Sequence, residues 1–273
     1  MRTLLKIGFG MVVLAIVLVA TAAGVLSSQG GTSEHMTGPT GSRAMKSETR
    51  KIDGTAVIVD SSGPVDLVIK QGSAPSMVVY AEERLLPRIK TVQEGNTLSI
   101  DFKDTMFHMN HPMRVELTLP ALQQLSMHGS GDGRINGFSG DKMVLTLRGS
   151  GDINFDGHFQ HVTASVMGSG DLALDVGDGA DADLSLMGSG SIAASGQNKS
   201  LTVHMLGSGD LDADKLRTDN LKLDLMGSGD SSVYAKQSAV INLHGSGDVD
   251  VRGNPTHREV NRAGSGEVNW SGE

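Results

Sequence analysis

The chain has 273 residues, including 36 glycines and no cysteine, and only 3% of its residues are aromatic. This composition is typical of many short strands joined by tight turns, and the lack of cysteine excludes both disulfides and a lipidated cysteine. The formal net charge of −8 disfavours nucleic acid and anionic lipid headgroups as partners, whereas cations and neutral or basic surfaces remain compatible with it.

Residues 1–26 predict an export signal. Arg2 and Lys6 precede an uncharged apolar run from Ile7 to Leu26, and the small residues at 20–24 suit a signal peptidase. The run is also long enough to cross a bilayer, so a cleaved signal peptide and an uncleaved N-terminal membrane anchor both remain open. The basic end stays in the cytoplasm by the positive-inside rule, which places the following residues in the bacterial periplasm or at the cell surface.

Residues 27–49 predict a flexible linker. The segment is rich in Ser, Thr and Gly and has no apolar periodicity. Because residues 1–26 contain two basic and no acidic residues, the part beyond them carries 21 basic and 31 acidic side chains, a net charge of −10. We therefore expect one folded domain, residues 50–273, tethered to a signal or anchor that is its only contact with the membrane.

Residues 50–128 predict atypical opening turns of that domain. Two alternating runs surround the stretch SSGPVD at 61–66, and the stretches SMVVYAEE and MRVELTLP predict further strands. Terminal turns of a repeat fold are expected to depart from the repeat sequence.

Within this opening part, the stretch MFHMNHPM at 106–113 concentrates thioether and imidazole groups. Such soft ligands suit copper outside the reducing cytoplasm. The same stretch can equally form a hydrophobic loop that covers an end or a side of the fold. The candidate copper ligands are Met106, His108, Met109, His111 and Met113.

The main feature of residues 129–273 is a Gly-Ser-Gly triplet, which we call the corner. It begins at positions 129, 149, 168, 188, 207, 227, 245 and 264, so it recurs every 18 to 20 residues. The residue after each corner is acidic except at Ser191, and we call these acids the acid row. The members of the acid row are Asp132, Asp152, Asp171, Asp210, Asp230, Asp248 and Glu267.

Apolar and polar residues alternate on both sides of each corner. Leu184 and Leu186 flank Ser185 before the corner at 188, and Val249 and Val251 follow the corner at 245. This period of two predicts strands with one buried face, and no segment has the apolar 3.6-residue period of a crossover helix. The sequence therefore predicts an all-β fold, a single-stranded, right-handed parallel β-helix with about 19–20 residues per turn.

The acid row has two interpretations. Aspartate can accept hydrogen bonds from nearby amides, so these residues can be turn residues that need no ligand. Carboxylates stacked on successive turns can instead form a ladder that binds calcium weakly, which makes the acid row a set of candidate calcium ligands. Because a residue repeated in every turn is not a unique constellation, we predict no catalytic residue and no required cofactor.

The residue just before each corner is apolar in four consecutive turns, and we call these four residues the methionine stripe. If the preceding residue faces inward, the stripe faces outward and forms an interaction surface for a partner protein, a glycan or a second copy of the chain. Alternatively, the chain twists at the glycine and packs these side chains into the wall. The stripe consists of Met167, Met187, Leu206 and Met226.

The order of these motifs resembles a family of secreted bacterial domains known as the "putative auto-transporter adhesin, head GIN domain". The resemblance rests on SSGPVDLVIKQG, LLPRIKT followed by GNTLSI, VELTLPALQQLSMHGSGD and the serial GSGD turns, and covers about residues 50–273. It implies a β-helical fold and a cell-envelope setting, and it supplies no catalytic residues. The chain differs from the usual pattern in its Met- and His-rich stretch and at Ser191.

From these features we expect a non-catalytic, exported envelope protein, adhesin-like or structural, whose partner is an envelope protein or glycan. One alternative is a β-helical enzyme that acts on polysaccharide, which would require a groove with two acids outside the repeat. A second alternative is a periplasmic protein that binds calcium or copper.

Overall fold

The computed structural model describes residues 42–103 and 110–272. In these residues the chain forms one sheet of 18 strands and a single 3-10 turn, Leu86–Arg88. Strands β1 to β8 are Met45–Arg50, Ile58–Ser62, Val65–Gln71, Ser76–Glu82, Lys90–Glu94, Thr97–Asp101, Met113–Leu119 and Gln124–Gly129. Strands β9 to β18 are Gly133–Gly149, Ile153–Gly168, Asp171–Asp178, Asp181–Gly188, Ser191–Gly207, Asp210–Gly227, Ser231–Gly245, Val249–Gly253, His257–Gly264 and Val268–Trp270.

No helix within those two ranges has the length and hydropathy needed to span a membrane. The export signal or anchor predicted for residues 1–26 lies outside the described residues.

Successive turns of the repeat stack in parallel and in register. Gly168 pairs with Gly188, Gly188 with Gly207 and Gly207 with Gly227, so corner lies on corner. The residues two and four places before the first seven corners face inward and are buried, as Leu184 and Leu186 are, whereas Val260 and Arg262 before the last corner are exposed. These rows form the apolar core, and the predicted parallel β-helix is confirmed.

The strands continue beyond the alternating stretches that flank each corner. Strand β10 runs for 16 residues from one corner to the next, through the segment DGHFQH at 156–161. Its pairing register shifts between Asp156 and Gly157, which indicates a bulge. Backbone pairing between stacked turns therefore continues where the side-chain alternation is broken.

The stretch SSGPVD is the first corner of the same stack. The amide of Asp132 donates a hydrogen bond to Asp66 Oδ1 at 3.0 Å, and Leu67 pairs with Gly133 in the adjacent strand. Gly63 therefore occupies the place of Gly129, and Asp66 that of Asp132. The interpretation of residues 50–128 as opening turns of one body agrees with this pairing.

The opening turns do not stack in chain order. Strand β2 lies between β6 and β8, and β3 lies between β7 and β9. Along the stack, the β2–β3 turn is therefore placed between the β6–β7 turn and the β8–β9 turn, although it comes first in the sequence. Strands β5 and β4 then pair antiparallel with β6 and β7. These antiparallel strands cover sheet edges that would otherwise be free to pair with another chain.

The boundary predicted for the linker needs one correction. Residues 45–49, which we assigned to the linker, belong to strand β1, and β1 pairs antiparallel with β4. The side chains of these residues are exposed on both faces. The strand therefore lacks the apolar alternation by which a strand is recognised in a sequence, and only its backbone pairing defines it.

Candidate interaction surface

Where both rows are present, the methionine stripe precedes the corner and the acid row follows it. In the turn that contains Gly227, for example, Met226 precedes the corner and Asp230 follows it. The side chains of both residues are exposed. The corner therefore places two parallel rows on the surface, and each row has its own geometry.

Each aspartate of the row accepts a hydrogen bond from the backbone of the next turn. Asp132 Oδ1 accepts a hydrogen bond from the amide of Asp152 at 3.1 Å, and Asp152 Oδ1 accepts one from the amide of Asp171 at 3.2 Å. The same bond recurs along Asp210, Asp230, Asp248 and Glu267, with distances of 3.0, 2.8 and 2.8 Å. The acids are thus hydrogen-bond acceptors that connect one turn to the next.

Ser191 interrupts this row. Its amide and its hydroxyl both donate to Asp171 Oδ1, at 2.9 and 2.8 Å. On the next turn the amide of Asp210 donates to the carbonyl of Gly190 at 3.2 Å. With Asp66 as its first member, the row is divided by Ser191 into two groups of four acids.

These bonds explain how like charges can stack. Two carboxylates one strand spacing apart repel by about 0.9 kcal/mol in water. A carboxylate that accepts an amide hydrogen bond gains a charge-assisted interaction that offsets this repulsion. In residues 42–103 and 110–272, no group of three or more His, Asp and Glu is placed to hold a metal ion. Calcium binding by the acid row stays a prediction.

Substitution of Asp152 separates the two roles of an acid in the row. Asp152→Ala removes the acceptor for the Asp171 amide, and we expect it to lower the free energy of unfolding by about 1 kcal/mol. Asp152→Asn keeps an acceptor oxygen and removes a charge, so we expect a change within about 0.5 kcal/mol. Chemical denaturation measures the free energy of unfolding of both variants. If the two variants lose the same free energy, the row is stabilised by its charge, or by a cation bound to that charge, and not by the hydrogen bond. Melting the wild type with and without a chelator is the direct control, with no shift expected.

The methionine stripe lies on the outer face, in register. Met167 pairs with Met187, Met187 with Leu206 and Leu206 with Met226. Met167 is half-buried, whereas Met187, Leu206 and Met226 are 39%, 54% and 52% exposed. The alternative in which the stripe packs into the wall is therefore not what the structure shows for these three residues.

The surroundings of the stripe are polar. Arg148 continues the row beside Met167, and His244 continues it beside Met226. On the same face, two residues earlier in each turn, a parallel row contains Ser165, Ser185, His204 and Asp224. His204 Nδ1 lies 3.2 Å from Asp224 Oδ2. The stripe is thus a narrow apolar band bordered by hydroxyl and charged groups.

The candidate copper ligands are not assembled in the described residues. Met106, His108 and Met109 lie outside them. Met113 is fully buried in the apolar core, whereas His111 is exposed, with Nδ1 3.9 Å from Glu82 Oε1. Met113 is therefore a core residue of β7 and does not share a surface with His111.

Glu82 binds the backbone of this stretch at Asn110. Its carboxylate is buried, and it accepts hydrogen bonds from the amide of Asn110 at 3.0 Å and from Arg84 Nε at 2.7 Å. The Asn110 amide, and then the charge and hydrogen bond of Arg84, keep the pKa of Glu82 below its ordinary value, although burial opposes this.

This pKa predicts loss of stability in acid. A depressed folded-state pKa contributes stability that is complete above the unfolded pKa of a glutamate, about 4.3, and is lost as the pH falls through the lower folded value. We expect the free energy of unfolding of wild type to fall more steeply than that of Glu82→Gln in this acid range. Denaturation at a series of pH values measures the difference, and parallel curves for the two proteins would contradict the assignment.

A shallow groove of about 340 Å³ lies on the face that follows the corner. Its wall includes three acids outside the acid row, Asp156, Asp175 and Asp212, around the small residues Ala173 and Ala193. Asp175 Oδ1 accepts a hydrogen bond from the amide of Gly177 at 2.9 Å, as a turn residue does. The sequence did not single out these acids, because their rows also contain Asn, Ala, Ser and Lys.

Comparison with known proteins gives a family and a fold. The sequence profile of the family described as "putative auto-transporter adhesin, head GIN domain" matches residues 58–255. No curated protein matches the chain.

Several solved structures are similar over most of the chain. A putative adhesin from Parabacteroides distasonis shares 19% identity and a TM-score of 0.78, covering 85% of this chain and 98% of that one. A putative adhesin from Parabacteroides merdae shares 16% identity and a TM-score of 0.75, with the same coverage. A putative lipid binding protein from Parabacteroides distasonis shares 24% identity and a TM-score of 0.72, covering 82% and 96%. At these identities the likeness shows the fold alone.

Proposed function

Because the chain belongs to the family described as "putative auto-transporter adhesin, head GIN domain", we propose that it is an exported, non-catalytic binding protein whose methionine stripe contacts another envelope protein. Residues 1–26 would direct export, either as an anchor in the inner membrane or as a cleaved signal. The observation that carries this proposal is the in-register exposure of Met187, Leu206 and Met226 on a regular sheet face.

The chemistry of the stripe favours a protein partner over a glycan. Methionine is flexible and polarisable, and it is enriched in protein–protein interfaces. Among the four stripe residues there is no aromatic ring on which a sugar could stack, and only 3% of the whole sequence is aromatic. The negative charge of the exported part further favours a neutral or basic partner surface.

The test is binding of the labelled exported chain to envelope fragments of the producing bacterium. We expect Leu206→Asp, at the centre of the stripe, to weaken binding about tenfold or more, because it places a charge in the apolar contact. Asp212→Asn, an exposed change on the other side of the corner, is the control and is expected to bind like wild type. Protease treatment of the fragments should abolish binding, and periodate treatment should not.

Two results would contradict the proposal. Equal binding by wild type and Leu206→Asp would remove the stripe as the contact surface. Loss of binding after periodate but not after protease would identify a glycan as the partner. Hydrolysis of an envelope polysaccharide that disappears in Asp156→Asn would instead support an enzyme with its site in the groove.

A further inference from the structure

The described methionines fall into two groups that differ in access to solvent. Met187 and Met226 in the stripe are 39% and 52% exposed, while Met127, Met143 and Met205 are at most 5% exposed. Met205 precedes Leu206 in the same strand, but it faces the core, where its sulfur accepts a hydrogen bond from the hydroxyl of Ser231. Within the repeat turns, the strand alternation thus places the exposed methionines on one outer row.

We propose that the methionine stripe is an oxidation-sensitive surface. A peroxide that reaches the envelope converts Met187 and Met226 to methionine sulfoxide, and this conversion turns off binding through the stripe. The second part of this inference rests on the proposed function, whereas the first part does not.

The reaction needs only the thioether and the peroxide. A lone pair of the methionine sulfur attacks one peroxide oxygen, the O–O bond breaks and an S–O bond forms, and the other oxygen leaves as water after proton transfer. Sulfur loses two electrons and the peroxide gains them. The product is a polar sulfoxide, which a methionine sulfoxide reductase can return to the thioether with a thiol as reductant.

The position of the stripe lets this reaction alter the surface without unfolding the core. The oxidised side chains point outward, so no buried row loses an apolar group. Leu206 lies between the two sulfurs in register and does not react, so a sulfoxide lies on each side of it. An apolar partner would then face two strong hydrogen-bond acceptors that it must desolvate, which opposes binding.

Peptide mass mapping after limited hydrogen peroxide treatment tests the first part. In the folded protein we expect Met187 and Met226 to oxidise about tenfold or more faster than Met127, Met143 and Met205. Met45, which is 43% exposed and outside the stripe, should react at a similar rate to Met226. In guanidinium the differences should disappear. Folded-state rates for Met187 and Met226 as slow as that of Met143 would overturn the inference.

Binding to envelope fragments tests the second part. We expect peroxide to weaken wild-type binding about tenfold, whereas the Met187→Leu/Met226→Leu double variant, compared with its own untreated sample, should show no change in affinity after the same treatment. Methionine sulfoxide reductases of both stereospecificities should restore the wild type. If oxidised wild type binds as well as untreated wild type, the switch is wrong. If untreated wild type does not bind at all, the proposed function fails, and the mapping result is unaffected.

Discussion

Replacement of Gly227 by alanine is expected to prevent the corner from closing. Gly227 has φ = +147°, and a Cβ at this position would lie 1.8 Å from the carbonyl oxygen of Gly207 on the turn below. That oxygen also accepts a hydrogen bond from the amide of Ser228, so it cannot move away without breaking the stack. We expect a loss of about 4 kcal/mol or more in the free energy of unfolding, or failure to fold.

Gly95 offers a matched control. It also has a positive φ, +60°, but no atom lies within 4 Å of the position where its Cβ would be. Gly95→Ala therefore carries only the backbone strain of a left-handed residue, about 1–2 kcal/mol. Chemical denaturation compares the two variants, and equal losses would show that close approach between turns is not what the glycine provides.

Leu225→Ala is expected to cost about 2–5 kcal/mol, because it leaves a cavity in a stacked apolar row. Leu225 is 1% exposed and lies between Met205 and Leu243 on the adjacent turns. Neither neighbour can fill the space without leaving its own turn, since the backbone register fixes both. Equilibrium denaturation in urea measures the change.

Leu206→Ala is the control for this experiment. The same side-chain truncation at a residue that is 54% exposed should change the free energy of unfolding by no more than about 0.5 kcal/mol. A large loss at Leu206, comparable with that at Leu225, would mean that the stripe is packed and that its outward orientation is wrong.

The stacked part of the fold could be predicted from the sequence because one spacing recurs. A corner recurs every 18 to 20 residues, so each position relative to the corner occurs eight times in the sequence. A single exception such as Ser191 therefore does not obscure the pattern. The alternation of Leu184, Ser185 and Leu186 predicts which face of the strand is buried. The acids have the same position after each corner, so stacked turns are predicted to bring them together in one row. Gly63 and Asp66 have the same spacing as the first glycine and the acid of the later corners.

The parts that could not be predicted depend on pairings that leave no mark in one strand's sequence. Nothing in β6 and β7 indicates that their turn stacks on the far side of the earlier β2–β3 turn, because both turns have the same alternation of buried and partly exposed residues. Strand β1 has no buried face to recognise. The hydrogen bonds from backbone amides to the acid row were only one of two interpretations of these residues. Aspartate serves both as a hydrogen-bond acceptor and as a cation ligand, so the residue type does not distinguish the two.

The candidate surface was predicted in position but not in exposure. The sequence shows that Met187, Leu206 and Met226 each precede a corner, but whether the chain twists there depends on the φ of the following glycine. Those glycines have φ between 131° and 147°, and the preceding side chains stay on the outer face. Both rows are exposed, but the acids already accept hydrogen bonds from the next turn, so the contact surface that we propose is the apolar row.

The most direct test of this account compares two substitutions on either side of one corner. Met226→Asp changes the methionine stripe and Asp230→Asn changes the acid row, only four residues apart. The measurement is the affinity of each variant for envelope fragments. The account predicts that Met226→Asp binds about tenfold or more weakly and that Asp230→Asn binds like wild type. The reverse result, with binding lost in Asp230→Asn and kept in Met226→Asp, would contradict it.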